Sequence, residues 1–212
     1  MSIERTERLQ VKLQNSLNSL IEKIGKIQIG TVEQFPLGWR KAAKGRTVWR
    51  IIEEVITQNL EKYYVELDMT SITVSDSETS VHDFATLFKD EDKQIYVNVK
   101  SAVLGGKTQK DDISKGLGLR NFYASDNDGE FFVATFFIKF NEDMTIEIDG
   151  CVVFPIAWIP DIYINPSNNG NLQSSKYKDL STAVKRDAKE FSELFEKAMQ
   201  IALRKRVIKL NS

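Results

Sequence analysis

Cysteine and histidine are almost missing: the 212 residues hold one of each, Cys151 and His82. A lone cysteine closes no intramolecular disulfide, so the fold must rest on its core. The expected setting is the reducing cytoplasm. Cys151 leads into Val152, Val153 and Phe154 and reads as a small buried hydrophobe. His82 lies far from it in sequence, so no Cys–His nucleophile pair is expected. A charge excess is missing too: 29 basic residues face 30 acidic ones, a net charge of -1. Any phosphate-binding surface must therefore be local. No apolar run approaches the ~18 residues of a membrane-spanning helix, and the opening MSIERTERLQ has no apolar signal-peptide stretch. There is no internal repeat or low-complexity tract. With 42% hydrophobic residues the chain can bury one core, and a single domain over 1–212 is the expectation.

Hydrophobic periodicity divides the chain into three parts. Leu13, Leu17, Leu20, Ile21 and Ile24 predict an amphipathic helix over 3–24. After a loop over 30–45, a second helix is predicted over 47–63, with Thr47 as N-cap and Val48, Ile51, Ile52, Val55 and Ile56 as its apolar face. The middle of the chain is rich in β-branched and aromatic residues, and strands are predicted over 65–74, 83–87, 94–102, 130–140, 144–154 and 156–164. The run from Phe131 to Phe140 is nearly all apolar, which predicts a strand covered on both faces. A short helix or turn-rich crossover is expected over 111–123, a polar loop over 165–175 and a long helix over 181–206. This order predicts an α/β fold built on one mixed sheet flanked by helices.

The chemistry-bearing pattern is Ser80-Val81-His82-Asp83-Phe84, then a charged turn from Lys89 to Lys93, then Tyr96-Val97-Asn98-Val99-Lys100-Ser101. Strand side chains alternate, so Asn98 and Lys100 share a face while Val99 enters the opposite layer. In an antiparallel hairpin Asp83 falls beside Asn98. On the preceding helix, Glu53 sits at the border of the apolar face and Glu54 nearer solvent.

An acid, a turn and then (D/E)-X-Lys on the adjoining strand resemble the PD-(D/E)XK nucleases. The hairpin is similar to that of several type II restriction endonucleases, which carry an aromatic after the first acid and Ser or Thr after the lysine, here Phe84 and Ser101. The resemblance implies a restriction-endonuclease-like fold and Mg²⁺-dependent hydrolysis of double-stranded DNA at a short palindrome by a homodimer. It implies Asp83, Asn98, Lys100 and Glu53 as catalytic residues. It also implies Asp83, Asn98 and the Val99 carbonyl as metal ligands. Two departures stand out: His82 replaces the usual proline, and Asn98 occupies the second acid position. Either Asn98 replaces an aspartate to prevent cleavage, or it is natural and Glu53 or Glu54 supplies the charge. A repair or junction-resolving nuclease, or a non-catalytic DNA-binding module, would leave similar traces.

Candidate DNA contacts fall in three stretches. Arg40, Lys41, Lys44 and Arg46 form the densest basic run, and Lys107 and Lys110 follow the candidate active strand past two glycines. Asn168, Asn169, Asn171, Gln173 and Lys176 lie in the polar segment, where amide side chains could read adenine; Lys178 would add a phosphate contact.

Overall fold

The computed structural model describes residues 2–40, 45–75, 80–106, 109–125, 129–167 and 170–210, except for the side chains of 45–47 and 208–210. Helix α1 (Ile3–Ile24) starts at Ser2, whose hydroxyl accepts from the Arg5 N–H, and stops at Gly25 in a left-handed conformation (φ 62°). Leu9, Leu13, Leu17 and Leu20 form its buried stripe. A two-residue strand, β1 (Ile27–Gln28), follows, and then α2 (Gly45–Tyr63). The buried stripe of α2 is Val48, Ile52, Ile56 and Leu60, while Ile51 is exposed. The expected face was thus rotated slightly. The helix also begins before Thr47, which is therefore not its N-cap.

Strand β2 (Met69–Val74) begins later than the sequence suggests. The Leu67 and Met69 amides fold back onto the carbonyls of Tyr63 and Tyr64, and Asp68 turns the chain at φ 66°. Residues 65–68 therefore form the turn that follows the helix rather than opening the strand. Next come β3 (Phe84–Phe88), β4 (Ile95–Val103) and β5 (Asp111–Ser114), then α3 (Gly116–Ser125), β6 (Glu130–Phe140) and β7 (Thr145–Pro155). The strand expected over 156–164 is instead a 3₁₀ turn (Ile156–Trp158) and a short β8 (Tyr163–Ile164). The buried Arg186 guanidinium donates to the Ala157 and Ile159 carbonyls, and the Trp158 indole donates to the Arg186 carbonyl. Those backbone acceptors are thereby satisfied outside any sheet. The polar segment contains β9 (Leu172–Ser174). The last helix, α4 (Ala188–Leu210), starts later than expected, with the Asp187 carboxylate accepting from the Glu190 N–H at 2.8 Å.

The main sheet has six strands in the order β1-β7-β6-β4-β3-β2. β3 and β4 form an antiparallel hairpin, while β4 and β6 run parallel over the whole length of β4. A parallel pair needs a crossover, and here it carries β5 and α3. One face of the sheet buries Val97, Val99, Phe132 and Phe136 against α1 and α2. The other packs Phe131, Val133 and Phe154 against α3 and α4. β6 is covered on both faces, as its apolar run requires. The fold is mixed α/β with helices on both sides of a mixed sheet. A smaller sheet, β5-β9-β8, lies beside it. Gly116 anchors that side: an added Cβ would lie 2.0 Å from the Gly170 carbonyl oxygen, so only glycine permits this approach.

Glu130 opens β6 almost fully buried, with the Thr6 hydroxyl donating to its carboxyl. Burial pushes Glu130 up to about 7, against the pull of Thr6 and Arg5. An acid whose pKa is raised in the fold stabilises while protonated. That contribution is complete below the unfolded value of 4.5 and is lost as pH rises through about 7. The E130Q variant should lack this loss. Urea unfolding at pH 5 and pH 8 should show it gaining roughly 2–3 kcal/mol on the wild type between the two. A constant difference would show that Glu130 ionises normally.

Candidate active site

The β3–β4 register pairs Phe84 with Val97, so Asp83 lies opposite Asn98 as the hairpin reading expects. The Asp83 N–H donates to the Val97 carbonyl at 2.9 Å, but β3 begins only at Phe84, while β4 runs on past this point. The Val99 N–H then needs an acceptor, and the Asp83 carboxylate supplies it at 2.5 Å. Asp83 is thus fixed where the two strands separate. The same splay opens a cleft of about 1360 Å³, lined by Glu53, Asp83, Asn98, Val99 and Lys100 together.

Glu53 reaches the cleft from α2. Val48, Ile52 and Ile56 face the core, which turns Trp49, Glu53 and Thr57 along the adjacent stripe into the cleft. Burial raises the Glu53 pKa, the neighbouring charge of Asp83 raises it further, and Arg50 and Lys100 oppose both. The two carboxyl groups are near enough for each to oppose the other's charge, so Glu53 is the more readily protonated for having Asp83 beside it. Lys100 enters from β4. Burial lowers its pKa, while Asp83, Glu53, Asp112 and Asp111 pull it back up. A lysine with a lowered pKa gives up its proton more readily than an ordinary one.

Asn98 is only 8% exposed. Its amide nitrogen donates to the Val81 carbonyl at 3.2 Å and to the Ile113 carbonyl at 3.1 Å. The second bond depends on an irregularity in β5, where the β9 register shifts between Asp112 and Ser114. Both amide hydrogens are committed, so only Oδ1 remains for a metal. Asn98 joins the lead-in to β3 with β5 across the floor of the cleft.

The opposite wall comes from the small sheet and the residues after it. Asn171 and Lys176 line the cleft, as do Asp111, Asp112 and Lys178. Gln173 donates to the Asp112 carboxylate at 2.7 Å, so it braces this wall. Lys178 pairs with Asp111 at 2.6 Å. Lys110 lies over the Tyr163 ring, 4.1 Å from its centre, and is not part of the cleft lining; neither is Arg40. Lys41, Lys44, Lys107, Asn168 and Asn169 lie outside the described residues, and Arg46 falls in the first turn of α2. His82 packs edge-on against Tyr96 with ring centres 5.1 Å apart, away from the cleft lining.

The short helix or turn-rich crossover expected over 111–123 holds α3, but its first four residues form β5, and so Asp111 and Asp112 were missed. No signal for that strand was available, since Asp111-Asp112-Ile113-Ser114 runs from two half-buried residues to two buried ones without alternating. The sequence reading also missed Trp49 and Arg50, which follow from placing the stripe one residue away from Ile51.

Among the described residues no group of three acidic, histidine or cysteine side chains is placed to hold a metal ion. Glu53 and Asp83, two neighbouring carboxyl groups on one cleft, nevertheless suit Mg²⁺, which is commonly held by one or two carboxylates with water and substrate phosphate completing its shell. No family model and no curated protein matches this chain. No helix among the described residues is long and apolar enough to cross a membrane.

Proposed function

We propose that this protein is a Mg²⁺-dependent nuclease of restriction-endonuclease-like fold that hydrolyses phosphodiester bonds in double-stranded DNA. The observation that carries the reading is the convergence of Glu53, Asp83 and Lys100 on one cleft. They come from a helix, the start of a hairpin and its second strand, an arrangement similar to that of PD-(D/E)XK nucleases except that Asn98 holds the second acid position. The size of the cleft and the amide and ammonium groups of Asn171 and Lys176 on its far wall suit a polymeric phosphate ligand.

Glu53 and Asp83 would hold the divalent ion, with the Val99 carbonyl as the backbone candidate beside them. Such an ion supplies Lewis-acid polarisation of the phosphate. Asp83 is held by the Val99 N–H, so its carboxylate needs little reordering before reaction. Lys100 orients the attacking water, takes its proton or stabilises the developing charge on phosphorus. A phosphorus–oxygen bond to water forms as the ester bond to the leaving oxygen breaks. Two copies related by a two-fold axis would match a palindromic site.

Incubation with supercoiled plasmid and phage DNA in Mg²⁺ should give discrete fragments, and K100M should reduce the rate by about 10²-fold or more. Cleavage confined to branched DNA would favour a junction-resolving enzyme. Retarded duplex without cleavage would favour a binding module, and neither binding nor cleavage would end the nuclease reading.

A further inference from the structure

We propose that Trp49 is a stacking platform that receives one unstacked nucleobase beside the scissile phosphate. The inference rests on the nuclease reading and adds the form in which the substrate is held. The chain has three tryptophans. The Trp39 indole donates to the Asn141 carbonyl and its ring packs on Phe140. Trp158 is buried and donates to the Arg186 carbonyl. Trp49 differs from both. It is 39% exposed, it lines the cleft, and it makes no hydrogen bond with a described residue.

Trp49 is thus a partly exposed aromatic in the wall of the cleft, a surface on which a ligand with an apolar face can stack. The Arg50 guanidinium lies over the indole, 4.1 Å from the ring centre, so a base would stack on the ring's other face or take the guanidinium's place. Trp49 precedes Glu53 by one helical turn, about 6 Å along the axis. That is under two nucleotide steps of roughly 3.4 Å each. A nucleotide whose phosphate meets Glu53 and Asp83 therefore brings its own base, or the next one, to Trp49.

Inside a duplex both faces of each base are covered by neighbours. Only a base that has left the stack, through flipping, fraying or a single-stranded segment, offers a face to the indole. The cleft thus takes DNA locally opened at the reacting nucleotide.

The test compares wild type, W49F and W49A in Ca²⁺, an ion used to allow binding without turnover. The probes are a short single-stranded oligothymidylate and the same chain with abasic residues throughout. W49A should bind the oligothymidylate about 5- to 100-fold more weakly, the range of base–aromatic stacking, while W49F keeps most of the affinity. On the abasic chain all three should bind alike. Equal affinity of wild type and W49A for oligothymidylate overturns the inference and leaves the nuclease reading intact. So does an equal loss on both probes, which would mark a general distortion of α2. If the wild type binds neither probe nor duplex DNA, the inference falls together with the nuclease reading.

Discussion

The D83N variant should cleave DNA at least about 10³-fold more slowly than the wild type while binding duplex as well or better. Asp83 stands where three requirements meet: its charge acts on Glu53, it accepts from the Val99 N–H, and its charge acts on Lys100. An asparagine of the same shape can still accept from Val99, so the hairpin should remain intact. The anionic ligand, however, is lost, and metal-assisted charge stabilisation is worth several kcal/mol of barrier, with each 1.36 kcal/mol a factor of ten in rate. Removing a negative charge from a wall that meets phosphate should not weaken binding. Single-turnover cleavage and gel retardation on the same DNA separate the two effects. Residual cleavage within tenfold of wild type would show that Asp83 does not hold the reacting cation. Loss of binding in step with cleavage would point to a misfolded hairpin.

The N98D variant should be markedly less stable and should not cleave faster. This substitution separates the two readings of Asn98. A substituted catalytic acid should regain activity when aspartate is restored. The geometry argues otherwise, because both hydrogens of the Asn98 amide are donated to the Val81 and Ile113 carbonyls. An aspartate in the same pose would turn a carboxylate oxygen toward two carbonyl oxygens at a position only 8% exposed. The loss of two donors and the burial of an unpaired charge together cost about 3–5 kcal/mol. For a chain of this size that lowers the melting temperature on the order of 10 °C. The loss should be larger at pH 8 than at pH 5, since a buried aspartate facing acceptors ionises above its unfolded value, and its stabilising proton is lost as pH rises. Thermal melts and plasmid cleavage of the same preparation provide the check. Unchanged melting with a tenfold or greater gain in rate would make Asn98 a replaced acid.

The alternating pattern of Tyr96 to Ser101 was enough to place Asn98 and Lys100 on one face, and the short turn after Phe88 was enough to set Asp83 opposite Asn98. Both are local consequences of strand geometry. Glu53 was accessible for the same reason, since helical periodicity ties it to Ile52 and Ile56. The far wall was accessible only in part: Asn171 and Lys176 follow from the polar segment that holds them, but the pairing that sets them opposite Lys100 does not. Asp112 and Gln173 are distant in sequence, and their hydrogen bond depends on β5 pairing with β9, two strands of four and three residues. Such short segments carry too little periodicity to distinguish a strand from a loop. The end of the apolar run at Ile156 was hidden as well, because the group that satisfies its backbone, Arg186, comes from a later part of the chain.

β4 is clamped between β3 and β6, whereas β5 and β9 hang from a ladder of a few residues beside it. The jaw that carries Lys100 is therefore held along both edges, while the opposite jaw is secured by side chains more than by strand pairing, with Ile113, Leu172 and Ser174 fully buried. Deuterium should reach the amides of residues 111–114 and 172–174 before those of 95–103, since fewer ladder bonds protect them.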